Sequence, residues 1–184
     1  KDKKILDASG SNFKRTLNPN EEEREIFKTV DTNYKSCLKY LRKVAKLKCT
    51  TGNKVKYYKS GEYFFPELIE HLKLAEEFIF MEFFIISEGK WWSQVLEVLK
   101  EKAAQGVEVR LLYDDFGCFG VLPSSLPRQL AKFGIQVKKF HPFRPILTSS
   151  INNRDHRKIV VIDHKYAFTG GNNLADEYAN DKLR

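Results

Sequence analysis

His156, Lys158 and Asp163 stand in the stretch His-Arg-Lys-Ile-Val-Val-Ile-Asp, and Gly170-Gly171-Asn172-Asn173 follows after six intervening residues. A neutral imidazole is a competent nitrogen nucleophile near pH 7, and an ammonium beside it can neutralise charge on a phosphoryl group. Alternate residues of an extended strand share a face, so His156 and Lys158 would point the same way, with Val160 and Ile162 continuing that face inward. A strand that runs into a Gly-rich turn can bring backbone amides and an Asn carboxamide to an anion. In such a pocket Lys158 and Asn173 would bind non-bridging phosphate oxygens, and Gly171 would permit close backbone approach. Phosphodiester chemistry is the reaction type these residues suggest.

The spacing HxKxxxxDxxxxxxGGxN resembles the signature of the phospholipase D superfamily. The wording around it, Asn152-Asn153-Arg154-Asp155-His156-Arg157-Lys158 and Phe168-Thr169-Gly170-Gly171-Asn172-Asn173-Leu174-Ala175-Asp176-Glu177-Tyr178, is similar to the first half of bacterial cardiolipin synthases. So are Phe80 to Ile86, Gly106 to Arg110, Tyr113-Asp114-Asp115-Phe116-Gly117 and His141-Pro142-Phe143-Arg144-Pro145. The resemblance covers about residues 53 to 181.

That resemblance implies an enzyme with two such motifs in two similar halves and an active site where the halves meet. One His attacks phosphorus to give a phosphohistidine, and the other protonates the leaving alcohol. It implies phosphatidyl transfer between two phosphatidylglycerol molecules, with release of glycerol. His156 would be the nucleophile, and Lys158 and Asp163 would complete the catalytic set. No metal or cofactor is implied, and no nucleic acid is expected as a partner. The chain starts at Lys1 and stops at Arg184 just after one motif, so it reads as a soluble, inactive piece of a longer enzyme at the cytoplasmic face of the cell membrane, lacking the second half. Two other readings stay open: a one-motif phosphodiesterase or nuclease that completes its site by dimerising, and a non-catalytic module that binds anionic lipid.

Strand parity sets Asp163 apart. It falls on the face opposite His156 and Lys158, which favours a structural role such as anchoring backbone amides. Glu82 is the one acid in a strongly apolar strand, and a buried carboxylate needs a partner. It would orient a catalytic group or pair with an Arg. Asp114 and Asp115 end a strand where α/β sites cluster, although turn capping is the favoured role and a Mg²⁺ site only a weakly signalled one. His71, His141 and His164 have no motif context and receive no role.

The elements that position the motif can be read from periodicity. The fold class is α/β, with a mostly parallel or mixed central sheet and helices on both faces. Phe78 to Ile86 is too continuously apolar for an edge strand and belongs in the middle of the sheet. Further strands are expected at Lys54 to Tyr58, Val107 to Tyr113, Ile135 to Phe140, 155 to 163 and 165 to 169. Helices are expected at Glu67 to Glu77 behind Pro66, at Lys90 to Gln105 with Gly106 as its stop, and at about Pro127 to Phe133. Residues 141 to 154 read as a loop.

Charge divides the chain further. Residues 1 to 60 carry 16 Lys and Arg against 7 Asp and Glu, whereas the rest carries 16 against 17. With the resemblance starting near residue 53, this fits a 1–52 extension followed by what the resemblance implies is a 53–184 phospholipase D-like domain. Glu21 to Lys48 reads as one helix, with a basic face of Lys35, Lys39, Arg42, Lys43 and Lys46 and an apolar stripe through Tyr34, Cys37, Leu38, Leu41, Val44 and Ala45. Such a helix would rest on an anionic membrane surface or pack as an ordinary surface helix. No apolar run approaches the roughly 20 residues of a membrane span. Cys37, Cys49 and Cys118 show neither disulfide nor zinc spacing.

Overall fold

The computed structural model describes residues 21–45, 47–142 and 153–181. Two compact units meet in sequence at Lys56 and Tyr57. In the first, the expected single helix is two: α1 (Glu21–Thr29) and α2 (Thr32–Tyr40), followed by a π-helical turn at Leu41–Ala45. Asp31 causes the break, because its carboxylate accepts the N–H of Asn33 at 2.8 Å and caps a new helix. The Glu23 carboxylate is buried in this unit, 2.7 Å from Arg42 Nη1 and accepting the N–H of Cys49. Lys54 to Tyr58 is not a strand. Val55 and Tyr57 are exposed, and no strand among the described residues supplies a ladder for the segment.

The second unit is built on a five-stranded sheet: β1 (Phe78–Phe83), β2 (Glu108–Asp114), β3 (Gln136–Phe140), β4 (Ile159–Ile162) and β5 (Tyr166–Thr169). Its order is β3-β2-β1-β4-β5, so the apolar β1 is central. β1, β2 and β3 are parallel, whereas β4 and β5 form an antiparallel hairpin beside β1. The connections are α3 (Gly61–Lys73), leading into β1, then α4 (Lys90–Ala104) and α5 (Leu126–Ala131). Gly106 and Gly134 adopt positive φ after α4 and α5, which stops each helix.

α3 starts before Pro66 rather than after it, and Pro66 lies inside the helix. Gly61 permits this start, since a Cβ there would overlap the carbonyl of Tyr178. Phe64, Phe65, Leu68, Ile69 and Leu72 then bury one stripe of α3, as Trp91, Trp92, Val95, Val98 and Leu99 do on α4. Both stripes share a core with Ile79, Met81 and Phe83 of β1, Val109, Leu111 and Tyr113 of β2, and Val160 and Ile162 of β4. The class is α/β with a mixed sheet. α3 and α4 cover the sheet face that carries these core side chains. The other face carries Phe80, Glu82, Arg110, Leu112, Ile159 and Val161, which line a groove of about 750 Å³.

The topology fixes one edge as special. β1 and β2 end where β4 begins, because β4 runs antiparallel to β1. Residues 83–86, 114–121 and 154–158 therefore meet at one end of the sheet.

Candidate active site

The strand proper starts at Ile159, so His156 and Lys158 sit in an irregular lead-in rather than on β4 itself. They converge nonetheless. The imidazole of His156 lies 4.8 Å from the ring of Phe84, centroid to centroid, and Lys158 Nζ lies 5.2 Å from the same ring. His156 is exposed, whereas Lys158 is 5% exposed. Val160 and Ile162 continue the Lys158 side into the core. Lys158 Nζ donates to the carbonyl oxygen of His156 at 2.7 Å. Burial pulls its pKa below the usual lysine value, and the carboxylate of Asp155 opposes that shift.

The lead-in is held from three sides. Asp114, fully buried, accepts the N–H of Asp155 at 3.0 Å and the N–H groups of Phe116 and Gly117 at 2.9 Å each. Arg154 also approaches Asp114, at 3.4 Å. Arg157 donates through Nε and Nη2 to the two carboxylate oxygens of Asp155, at 2.9 and 3.1 Å. The same guanidinium reaches Glu82 Oε1 at 2.7 Å. Arg157 and the Asp155 backbone thus tie the neighbours of His156 to β1 and β2.

The two carboxyl groups beside this guanidinium are shifted in opposite directions. The Arg157 guanidinium holds Asp155 well below the usual carboxylate range against the effect of burial. Glu82 is raised to about 7, first by burial and then by Asp155, with Arg157 acting in the opposite sense. Asp155 and Arg157 gained no role from sequence, although Asp-His-Arg-Lys sets four polar residues directly before the apolar stretch 159–162. That charge density beside a buried strand was the available signal.

Asp163 takes the anchoring role that strand parity favoured rather than a place in the catalytic set, and Asn173 departs from its expected place. Asp163 lies at the far end of β4, away from His156, with a left-handed φ of 50°. Its oxygens accept the N–H groups of Glu76, Glu77 and Phe78 at 2.7, 2.9 and 2.7 Å. Burial would raise its pKa, but those amides lower it more. Asp163 is an anchor for the start of β1, outside the His156–Lys158 pair. Asn173 is 2% exposed, accepts from Ile85 N at 3.0 Å and donates to Tyr178 Oη at 2.6 Å. Its carboxamide braces the chain after β1 instead of facing solvent as a phosphate donor, because a buried amide must satisfy its own polar atoms. Gly171 is exposed, and a Cβ added there would meet nothing within 4 Å.

Asp114 is a turn cap, as favoured from sequence, and Asp115 pairs with Lys139 at 2.8 Å. His71 bonds the Glu67 carbonyl and packs on Tyr166 and Phe168, while His164 packs on Phe78. Among the described residues, no three His, Cys, Asp or Glu side chains group as a metal site, and no helix is long and apolar enough to cross a membrane.

Several known proteins are similar to this chain. A family described as "Cardiolipin synthase, PLD-like domain" matches residues 68–182. An uncharacterized protein of Streptococcus mutans is 40% identical over 161 residues, 86% of this chain and 35% of that protein. A cardiolipin synthase of Staphylococcus aureus is 39% identical over 130 residues, 70% of this chain and 26% of that protein. The chain thus spans about a third or less of the length of these curated relatives. Among solved structures, NucT from Helicobacter pylori aligns with a TM-score of 0.48 at 18% identity, over 65% of this chain and 75% of that one. With the family match spanning most of the second unit, the chain belongs to the cardiolipin synthase PLD-like domain family.

Proposed function

We propose that this chain supplies the nucleophilic half of a phosphatidyltransferase that makes cardiolipin from two phosphatidylglycerol molecules. The convergence of His156 and Lys158 around Phe84, at an open edge of the sheet, is the observation that carries this reading. His156 attacks phosphorus and forms a P–N bond as the P–O bond to glycerol breaks. The leaving oxygen takes its proton from a donor in the second half of the complete protein. The hydroxyl of a second phosphatidylglycerol then attacks phosphorus, gives up its proton and releases the imidazole.

Lys158 has the chemistry to assist. An ammonium carries three N–H groups, and the bond to the His156 carbonyl occupies one, leaving two for phosphoryl oxygens. The Asp155–Arg157–Glu82 cluster holds the lead-in against β1. The 184-residue chain alone has no partner imidazole arranged beside His156 among the described residues, so transfer is proposed for the complete protein.

The test is cardiolipin and glycerol formation from phosphatidylglycerol vesicles by the complete protein, with single-stranded and duplex DNA as competing substrates. Transfer that disappears in His156→Ala supports the reading. Near-normal transfer in that variant, or cleavage of DNA without action on lipid, overturns it.

A further inference from the structure

Of the apolar stripe that periodicity draws along the basic helix, Tyr34, Cys37, Leu41 and Val44 are exposed. Tyr40 and Leu47 join them, and α2 buries none of its own residues. Tyr34 is 64% exposed, Val44 58% and Leu47 57%. An ordinary surface helix turns such a stripe toward its core. Here the side that carries Lys35, Leu38 and Arg42 is turned inward instead: Lys35 and Leu38 are half-buried, and Arg42 reaches the buried Glu23 carboxylate at 2.7 Å. Single exposed apolar side chains are normal, whereas a row of them along one segment marks a contact surface.

Charge selects what that surface meets. From Thr32 to Ser60 the chain has nine Lys and Arg and no Asp or Glu. Arg42 is neutralised by Glu23, so it adds nothing to the outer face. Lys39 and Lys48 are exposed, and among the described residues neither has a carboxylate partner. The nearby acids hold the unit together elsewhere. Glu22 accepts from the N–H and the hydroxyl of Thr51, Glu25 pairs with Lys28, and Asp31 caps α2.

A partner for this face must take up aliphatic side chains and present negative charge beside them. An anionic bilayer surface does both. Its acyl boundary accepts Leu41, Val44 and Leu47, the rings of Tyr34 and Tyr40 suit headgroup depth, and lipid phosphates meet the lysines. A nucleic acid supplies the phosphates but no apolar bed for the three aliphatic side chains.

We propose that segment 34–48 is an in-plane anchor, which lies on an anionic lipid surface with Leu41, Val44 and Leu47 at the acyl boundary and Lys39 and Lys48 at the headgroups. The anchor uses no residue of the His156 site and stands whether or not that site transfers phosphatidyl groups.

The test uses the Tyr34→Trp variant of the 184-residue chain, with vesicles of phosphatidylcholine brominated in the acyl chains, alone or mixed with phosphatidylglycerol. Trp91 and Trp92 are buried, so their emission is a lipid-insensitive background. On the mixed vesicles the variant's emission should shift to the blue and be quenched, with the effect weakened by salt, and on phosphatidylcholine alone it should change far less. Leu41→Ser/Val44→Ser and Lys39→Glu/Lys48→Glu, each added to that variant, should lower vesicle partitioning about tenfold or more. Unchanged far-UV circular dichroism and unfolding temperature control for folding, and if either pair alters them the Tyr34→Trp quenching alone decides. Vesicle binding with unquenched emission, equal binding with and without phosphatidylglycerol, folded pair variants that bind like their parent, or no binding each overturns the proposal. So does a blue shift that grows with protein concentration without vesicles, which makes the occupant a second copy of this chain, or salt-sensitive binding to single-stranded DNA without binding to vesicles. None of these readouts depends on turnover, so they fail independently of the His156→Ala assay.

Discussion

Lys158 bends its ammonium back onto the residue it would assist, with Nζ 2.7 Å from the carbonyl oxygen of His156. The bond lies in a segment outside the regular strand, where no ladder fixes the backbone. One side chain therefore both shapes the lead-in and places positive charge against the His156 backbone. Lys158→Ala removes both and should lower cardiolipin formation by the complete protein by at least about 100-fold. A steady-state assay that finds less than about a tenfold loss would separate Lys158 from the transition state.

Asp163 should behave in the opposite way. Its carboxylate satisfies three amides at the start of β1, and Asn can present only one oxygen to them. Asp163→Asn should destabilise the fold by roughly 2 to 4 kcal/mol, the scale of lost hydrogen bonds to a buried charge. The sign of the pH effect follows from its lowered pKa. A depressed carboxylate contributes stability above its unfolded pKa of about 4 and loses it as pH falls through the folded value. Urea unfolding at several pH values should show that acid limb in the wild type and a flatter one in Asp163→Asn. Parallel limbs would contradict the anchor.

His156 and Lys158 were expected on one face of a strand, whereas they lie in an irregular lead-in with His156 exposed and Lys158 buried. The central position of β1 was legible because a continuous apolar run is local and needs no knowledge of distant partners. Asp163 was partly legible for the same reason, since parity alone separates it from the pair. Asn173 was not, because its partners Ile85 and Tyr178 become neighbours only when the end of β1 meets the chain after β5. Asp155 and Arg157 were hidden by similar long-range pairing with Asp114 and Glu82. The break at Asp31 was a different kind of miss. A capping carboxylate inside a strongly helical pattern competes locally with propagation, and periodicity does not register it.

Glu82 offers a test of the cluster that needs no substrate. Its pKa is raised to about 7, above the unfolded value of about 4.3. In that window the folded state binds more protons than the unfolded state, so this group's contribution to stability falls as pH rises. Glu82→Gln fixes a neutral side chain of the same shape. Its melting temperature relative to wild type should move upward as pH increases through the range from about 4.5 to 7. Melting curves that keep a constant offset across that range would remove Glu82 as a group titrating near neutrality.

Gly171 separates what the fold needs from what a ligand needs. It is not among the glycines with positive φ, and a methyl group there would meet no atom of the chain within 4 Å. Folding alone therefore does not require glycine at this exposed position. Gly171→Ala should leave stability unchanged or raise it by about 0.4 to 1 kcal/mol, through loss of unfolded-state freedom. In the complete protein a phosphate approaching the turn would meet that methyl, and displacement of a bound group by about 1 Å can cost on the order of 100-fold in rate. Transfer should accordingly fall while the melting temperature holds, with the loss appearing in KM and kcat together. Unchanged transfer at unchanged stability would place the phosphate elsewhere along the edge, nearer the exposed imidazole of His156 than the turn after β5.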